Sequence, residues 1–365
     1  MSKKLSYFLL IAGFFGLSTM NLSEVEASKL NFSVETVIPD NQVDKNKTYY
    51  DLRIEPNKKQ NLKMIVNNST DKDVTVEITA EAATTNTNGV VEYGVTKSKR
   101  DSTLKNSIGD IVTISEKEPV IPAKSSKEII LTVDAPKEDF EGILAGGITI
   151  KEKEQEKNTD KDSPKGMAIE NRYSYVVAFI LHGRDEQVSS ELKLNTVKPD
   201  QINVRNIISA NVQNTKSKYM NQVTIDAKVT RKSNKKVLYS EKKDKMQIAP
   251  NSNFNFPIAL NGEALEAGKY TLTMAIDSQG ETWDFKKDFT IEKAVANKLN
   301  KEDVSIVKDY TQLYLLIGGI LILLIFILFF AIMHKRKKEK QKLERELKRL
   351  KSQKKRKRKK PSVKL

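Results

Sequence analysis

The chain has 365 residues, with 63 Lys and Arg against 47 Asp and Glu, for a formal charge of +16 at pH 7. It contains no Cys, which excludes disulfides, a thiol nucleophile and any Cys-ligated metal. Residues 334–365 hold 18 Lys and Arg against 3 Glu, so they carry nearly all of the excess, and the high charge is no sign of nucleic-acid binding by residues 1–333.

In chain order, residues 1–27 read as a secretory signal. Lys3 and Lys4 form its positive end, Leu5 to Leu17 its apolar run, and Val25-Glu26-Ala27 a small-residue cleavage site. From Leu30 the pattern turns to period two. Stretches such as YYDLRI, QNLKMIVNN, DVTVEITAEA, KEIILTVDAP and YSYVVAFILHG are β-rich and separated by Asn, Asp, Gly, Pro and Ser clusters. Short regular strands without helical periodicity predict an immunoglobulin-like β-sandwich over residues 28–185. The polar run at 151–166 predicts a solvated hairpin loop inside it.

A second set of strands at 186–292 echoes the first. LKMIVNNSTDKDVTVEITAEA recurs in outline as SANVQNTKSKYMNQVTIDAKV, and VIPAKSSKEIILTV as QIAPNSNFNFPIAL. This predicts an all-β ectodomain of two tandem immunoglobulin-like sandwiches. Residues 293–312 read as a linker, either coil or a helical extension of the apolar segment beyond it. Leu313 to Met333 is uncharged and makes a helix of roughly 32 Å, enough to span a bilayer core of about 30 Å. Residues 334–365 form a basic tail, and the positive-inside bias keeps it cytoplasmic, with the sandwiches outside the cell.

Chemistry is sparse. There are only two His, His182 at a strand end and His334 at the membrane edge, and there is no HExxH, Walker loop or dinucleotide turn. The reading is a binding protein without catalytic residues, metal or cofactor. A wall-modifying enzyme would need an exposed carboxylate pair or a site around His182. A tail that binds anionic lipid or nucleic acid is the other alternative, and proximity to headgroups favours lipid.

Two groups stand out as binding candidates. Tyr50 and the turn Thr84 to Gly94, with Asn86, Asn88 and Tyr93, combine amides and aromatics suited to stacking on sugars and bonding their hydroxyls. Gly146 and Gly147 in FEGILAGGITI let a ligand or a neighbouring backbone approach closely. In the second set Tyr239, Met246, Phe254, Phe256 and Trp283 suit apolar anchoring of a protein.

The order NFSVETVIPDNQ, YYDLRIEP, TTNTNGVVEY, VIPAKSSKE, FEGILAGGITI and NRYSYVVAF resembles the peptidoglycan-binding domain of WxL-interacting proteins. QINVRNIISANVQN, KVLYSEKKDKMQIAPNSNFNFPI and TWDFKKDFTI resemble the host-binding domain of the same proteins. On this resemblance the family boundary falls nearer residue 155. It implies a surface adhesion scaffold of low-GC Gram-positive bacteria, encoded beside WxL-domain proteins. Its expected partners are peptidoglycan for the first domain, WxL-domain surface proteins or host extracellular proteins for the second, and the plasma membrane for the anchor. No nucleic acid is expected. The residue chemistry, with which the domain-wise resemblance agrees, leads to the expectation that residues 28–185 alone hold the wall, with Tyr50, Asn86, Asn88, Tyr93, Gly146 and Gly147 as candidates. On the same reading residues 186–292 hold protein through Tyr239, Met246, Phe254, Phe256 and Trp283; the resemblance itself carries over no contact residues.

Overall fold

The computed structural model describes residues 31–96, 98–153, 173–184, 187–307 and 310–358, with side chains to 355. The signal expected at 1–27, most of the loop expected at 151–166, and the end of the tail lie outside the described residues. Two compact units divide the chain at Asp303 and Val304.

The first unit holds two β-sandwiches. In the first sandwich, one sheet has the order β1 (Phe32–Val37), β3 (Lys59–Asn68), β9 (Ser126–Asp134), β7 (Val112–Ile114). The facing sheet has the order β2 (Tyr50–Arg53), β11 (Ser174–His182), β10 (Ile143–Glu152), β4 (Val74–Ala82), β8 (Val120–Ile121). Neighbours are antiparallel except β2 and β11, which run parallel. Alternation builds the core: Leu62, Met64 and Val66 of β3 and Ile129, Leu131 and Val133 of β9 turn inward against Val76 and Ile78 of β4. Each such side chain contributes about 1.5–3 kcal/mol on burial.

Strand β10 departs from that alternation, being buried on both faces from Leu144 to Ile150. On the inner side Gly146 lies under Ile108, which sits on the short helix α1 (Ile108–Ile111). On the outer side Gly147 lies under Tyr93, just after the small hairpin β5 (Thr84–Thr85) and β6 (Val91–Glu92). A Cβ added to Gly146 would stand 2.2 Å from the Glu81 carbonyl oxygen, and one on Gly147 would stand 2.4 Å from that of Tyr93. Both glycines therefore serve the approach of neighbouring backbone.

The second sandwich repeats the plan. Its sheets have the orders β12 (Leu192–Ile202), β13 (Arg205–Asn214), β16 (Ser252–Ala259) and β15 (Val237–Ile248), β14 (Met220–Arg231), β17 (Gly268–Ser278), β18 (Glu281–Ile291). The run β1-β3-β9 corresponds to β12-β13-β16, and β8-β4-β10-β11 to β15-β14-β17-β18. The echo in the sequence is thus an echo in topology. Its core gathers Ile208, Val212, Val223, Ile225, Phe256, Tyr270, Leu272 and Met274.

Of the segment expected as a linker at 293–312, the first ten residues form a helix that is not continuous with the apolar one, and Asp303 to Val307 follow as irregular chain. Helix α2 (Lys293–Glu302) ends separately and lies on the second sandwich, with Ala296 buried and Leu299 against the core. Polar contacts fasten its end. Asn300 accepts from the Leu265 N–H at 2.8 Å and donates to the Leu265 carbonyl at 2.9 Å. Asp303 accepts from the Asn206 N–H at 2.7 Å. A sequence of mixed polarity folds here because partners for these side chains lie 35 and 97 residues upstream.

In the second unit, helix α3 (Thr311–Arg358) has 48 residues. It is long and apolar enough to cross a membrane, and its large apolar side chains between Leu313 and Met333 are exposed. The basic tail continues the same helix without a break as far as Arg358.

Candidate functional site

The two sandwiches meet along a seam, and the hairpin β5–β6 is its clasp. The hairpin is preorganised by Asn86. Its Oδ1 accepts from the N–H groups of Asn88 and Val90 at 2.9 and 3.1 Å, and its Nδ2 donates to Glu92 at 2.8 Å. At the tip Gly89 has φ of 74° and lies against Met246, and its carbonyl accepts the Gln247 N–H at 2.8 Å. Ala249 N–H donates to Thr85 Oγ1 at 2.9 Å. A small apolar cluster of Ala83, Val91, Ala145 and Ile180 closes on Ala249 of the second sandwich. Beside it the Tyr93 and Tyr219 hydroxyls share a hydrogen bond of 3.1 Å, and burial pushes both phenols up from their ordinary range. At the far end the Ile143 N–H donates to the Ser217 carbonyl at 2.8 Å.

A cleft of about 800 Å³ opens along this seam. Its floor is the outer face of β13 and β16, where Asn211 stands opposite Asn255 and Gln213 opposite Asn253. A bulge in β12 between Leu194 and Val197 brings Asn195 alongside. The wall comes from the first sandwich, through Thr85, Asn86, Thr87 and the segment that ends at Asp101 and Ser102. These amides are wired together. Asn195 Nδ2 donates to Asn211 Oδ1 at 3.0 Å and to Gln213 Oε1 at 3.1 Å. Asn211 Nδ2 donates to Asn253 Oδ1 at 3.0 Å and to Asn255 Oδ1 at 2.9 Å.

Asp101 ties the floor to the wall. It accepts from Gln213 Nε2 at 2.9 and 3.1 Å, from Asn253 Nδ2 at 2.6 Å, and from Thr103 of its own loop at 2.7 and 2.9 Å. Burial alone would raise its carboxyl, but these donors outweigh it and hold the group below the usual carboxylate range. The other carboxylate of the cleft, Glu92, accepts from Asn86. His182 is not among the lining residues; its Nε2 stands 2.5 Å from Asp51 Oδ1 beside the β2–β11 pairing.

The candidates named from the sequence fall in several places. Tyr50 is in the core, its ring 5.5 Å from that of Phe179 and its hydroxyl donating to the Lys63 carbonyl at 2.8 Å. No face of that ring is open to a sugar. Asn86 lines the cleft, Asn88 is at the exposed hairpin tip, and Tyr93 belongs to the seam. Gly146 and Gly147 are buried under protein. In the second set Tyr239, Met246, Phe254 and Phe256 are core residues, and Trp283 is a partly buried flank of the same core. The reason is alternation. In NSNFNF, Phe254 and Phe256 turn inward, so Asn253 and Asn255 are the residues turned toward the cleft.

The sequence reading missed Asp101, Asn195, Asn211, Gln213, Asn253 and Asn255 as a group. Two signals were present: amides at every second position in NVQN and NSNFNF. Nothing local announced that Asp101, more than a hundred positions away, would meet them.

Comparisons with known proteins also divide the chain in two, at a boundary one strand earlier than the sandwiches do. Residues 32–152 match the model for the WxL Interacting Protein, peptidoglycan binding domain. Residues 164–301 match that for the WxL Interacting Protein, host binding domain. The second match includes β11, which pairs within the first sandwich. No curated protein matches the chain significantly. Among solved structures it is similar to the E. coli chaperone DraB, at 14% identity over 72% of this chain and 98% of that one, with a TM-score of 0.26. It is also similar to the CsuC–CsuE chaperone-tip adhesion subunit complex of Acinetobacter baumannii, at 10% identity over 62% and 90%, with a TM-score of 0.30. Superpositions this loose carry no argument. The two domain models, matched in order across both sandwiches and as far as α2, do: this chain belongs to the WxL-interacting protein family.

Proposed function

We propose that the chain is a non-enzymatic scaffold of the Gram-positive cell surface. In this reading α3 spans the plasma membrane, its basic end is cytoplasmic and both sandwiches stand outside. The first domain binds peptidoglycan, and the second takes a protein partner, either a WxL-domain surface protein or a host extracellular protein. The observation that carries the reading is the pair of domain matches, which together take in nearly all of both sandwiches. The cleft supports binding over chemistry, because Asp101 and Glu92 are both committed to side-chain amides and form no free acid–base pair.

The test is cosedimentation of residues 31–303 with purified peptidoglycan, with and without a WxL-domain protein. Both cores and α2 are contained in that fragment. Retention of the fragment by the wall and capture of the WxL protein are expected. A fragment that stays in the supernatant with walls of several chemotypes overturns the wall assignment. Topology is checked by protease added to wall-stripped cells, which should remove both sandwiches and spare the span and tail.

A further inference from the structure

The amide floor of the seam cleft has a direction, and Asp101 sets it. An ionised carboxylate only accepts, so Gln213 and Asn253 must turn their NH2 groups toward it. Their carbonyl oxygens then face the rest of the floor, where Gln213 Oε1 accepts from Asn195 and Asn253 Oδ1 from Asn211. Both hydrogens of Asn195 Nδ2 are used on Asn211 and Gln213, and both of Asn211 Nδ2 on Asn253 and Asn255. Five amides are thereby locked in one orientation. Two groups remain without a protein partner among the described residues: the NH2 of Asn255, whose oxygen is already engaged, and the oxygen of Asn195, whose hydrogens are spent.

Asn195 and Asn255 are both exposed and both line the cleft. The floor therefore offers a ligand a fixed NH2 donor at Asn255 and, at Asn195, a fixed amide oxygen that accepts from no described protein group. An acetamido group carries the complement, a carbonyl oxygen to accept and an N–H to donate. The rest of the lining is mostly hydroxyl and charged, with Thr87, Thr96 and Ser98 among it, which suits sugar hydroxyls. Val95 is 56% exposed and available to a methyl group.

Building on the reading of the ectodomain as a peptidoglycan binder, we propose that this cleft holds an N-acetylated hexosamine of the glycan strand. The acetamido group is read by Asn255 and Asn195. The site is composite: the second domain supplies the floor, and the first supplies the wall and the carboxylate that orients it.

The experiment uses residues 31–303 and three soluble probes: the N-acetylglucosamine tetramer, the fully deacetylated glucosamine tetramer, and a synthetic stem tripeptide. Side-chain amide resonances of Asn195 and Asn255 should shift with the acetylated tetramer and not with the other two. Cosedimentation with peptidoglycan should weaken at least about tenfold in the N195L/N255L double variant, and the acetylated tetramer should displace the unsubstituted fragment. Shifts produced equally by the deacetylated tetramer, or by the tripeptide alone, overturn the proposal. So does a double variant that binds walls within about twofold of the parent. The acetylated-against-deacetylated comparison needs no variant, so a misfolded double variant does not shelter the idea. A fragment that ignores intact walls yet shows the acetylated-specific shifts removes the wall assignment and leaves the cleft chemistry standing.

Discussion

Asp101, carried by the first sandwich, accepts a hydrogen bond from Asn253 of the second at 2.6 Å. The carboxylate is 6% exposed and also accepts from Gln213, so one side chain both joins the domains and orders the cleft floor. Hydrogen bonds to a charged group are worth about 1.5–3 kcal/mol each, and a buried amide left unpaired costs about 1–3 kcal/mol more. Asp101→Ala should therefore destabilise the ectodomain by about 3 kcal/mol or more in urea unfolding. Asp110→Ala, which removes a half-exposed ion pair with Arg100 and the bond from the Ser107 N–H that caps α1, should cost less, about 1–2 kcal/mol. Equal effects of the two substitutions would show that the seam bond contributes nothing special.

The same carboxylate sets an acid limit. Its native pKa is lowered from the ordinary 3.8, so its contribution is fully present above that value. It is lost as pH falls from 3.8 through the lower native value, because the unfolded state then takes up the proton first. Stability measured between about pH 5 and about pH 2 should fall less steeply in Asp101→Asn than in the unsubstituted ectodomain. An unchanged slope would assign the acid sensitivity to other carboxylates.

Gly147 has no room for a side chain, because Tyr93 backbone lies where its Cβ would be. Gly147→Ala should push the clasp hairpin away from β10 and cost about 1–3 kcal/mol, the range for overpacking a tight interior. The hydrogen bond between Tyr93 and Tyr219 should weaken with it, which ultraviolet titration of the phenols reports. A fully stable variant with unaltered tyrosine titration would mean that the contact yields without cost.

Helix α2 is part of the second sandwich, not a spacer. Removing it, by comparing residues 31–292 with 31–303, uncovers the core around Ala296 and leaves the Asn206 N–H without Asp303. The shorter fragment should be less stable by at least about 2 kcal/mol in denaturant unfolding. Coincident curves would return the segment to the role of linker.

Much of this architecture is legible in the sequence because its signals are local. The strands announce themselves by alternation, and the duplication is visible in outline. The structure gives that duplication a physical core in Asn68 and Asn214. Both are buried at strand ends: Asn68 donates to the Lys72 and Ile121 carbonyls, Asn214 to those of Lys218 and Ala249. Ile121 and Ala249 each precede a proline, so one corner is built twice. What could not be read is whatever depends on two distant segments meeting. Met246 and Tyr93 look like exposed anchors until Gly89 and Tyr219 are placed on them. Phe254 and Phe256 drew attention by type, while the exposed face of their strand carried Asn253 and Asn255. Residue type is evident in a sequence; which face of a strand meets another domain is not.

Whether the proposed glycan ligand is gripped between the sandwiches, and not on one of them, is decided by calorimetric unfolding of residues 31–303 with and without the N-acetylglucosamine tetramer. A ligand at one hundred times its Kd stabilises the state it binds by about 2.7 kcal/mol. For a body of this size that is a rise of about 5 °C. One cooperative transition that moves up as a whole is the expected result. Two resolved transitions, of which the ligand shifts only one, would contradict a shared site.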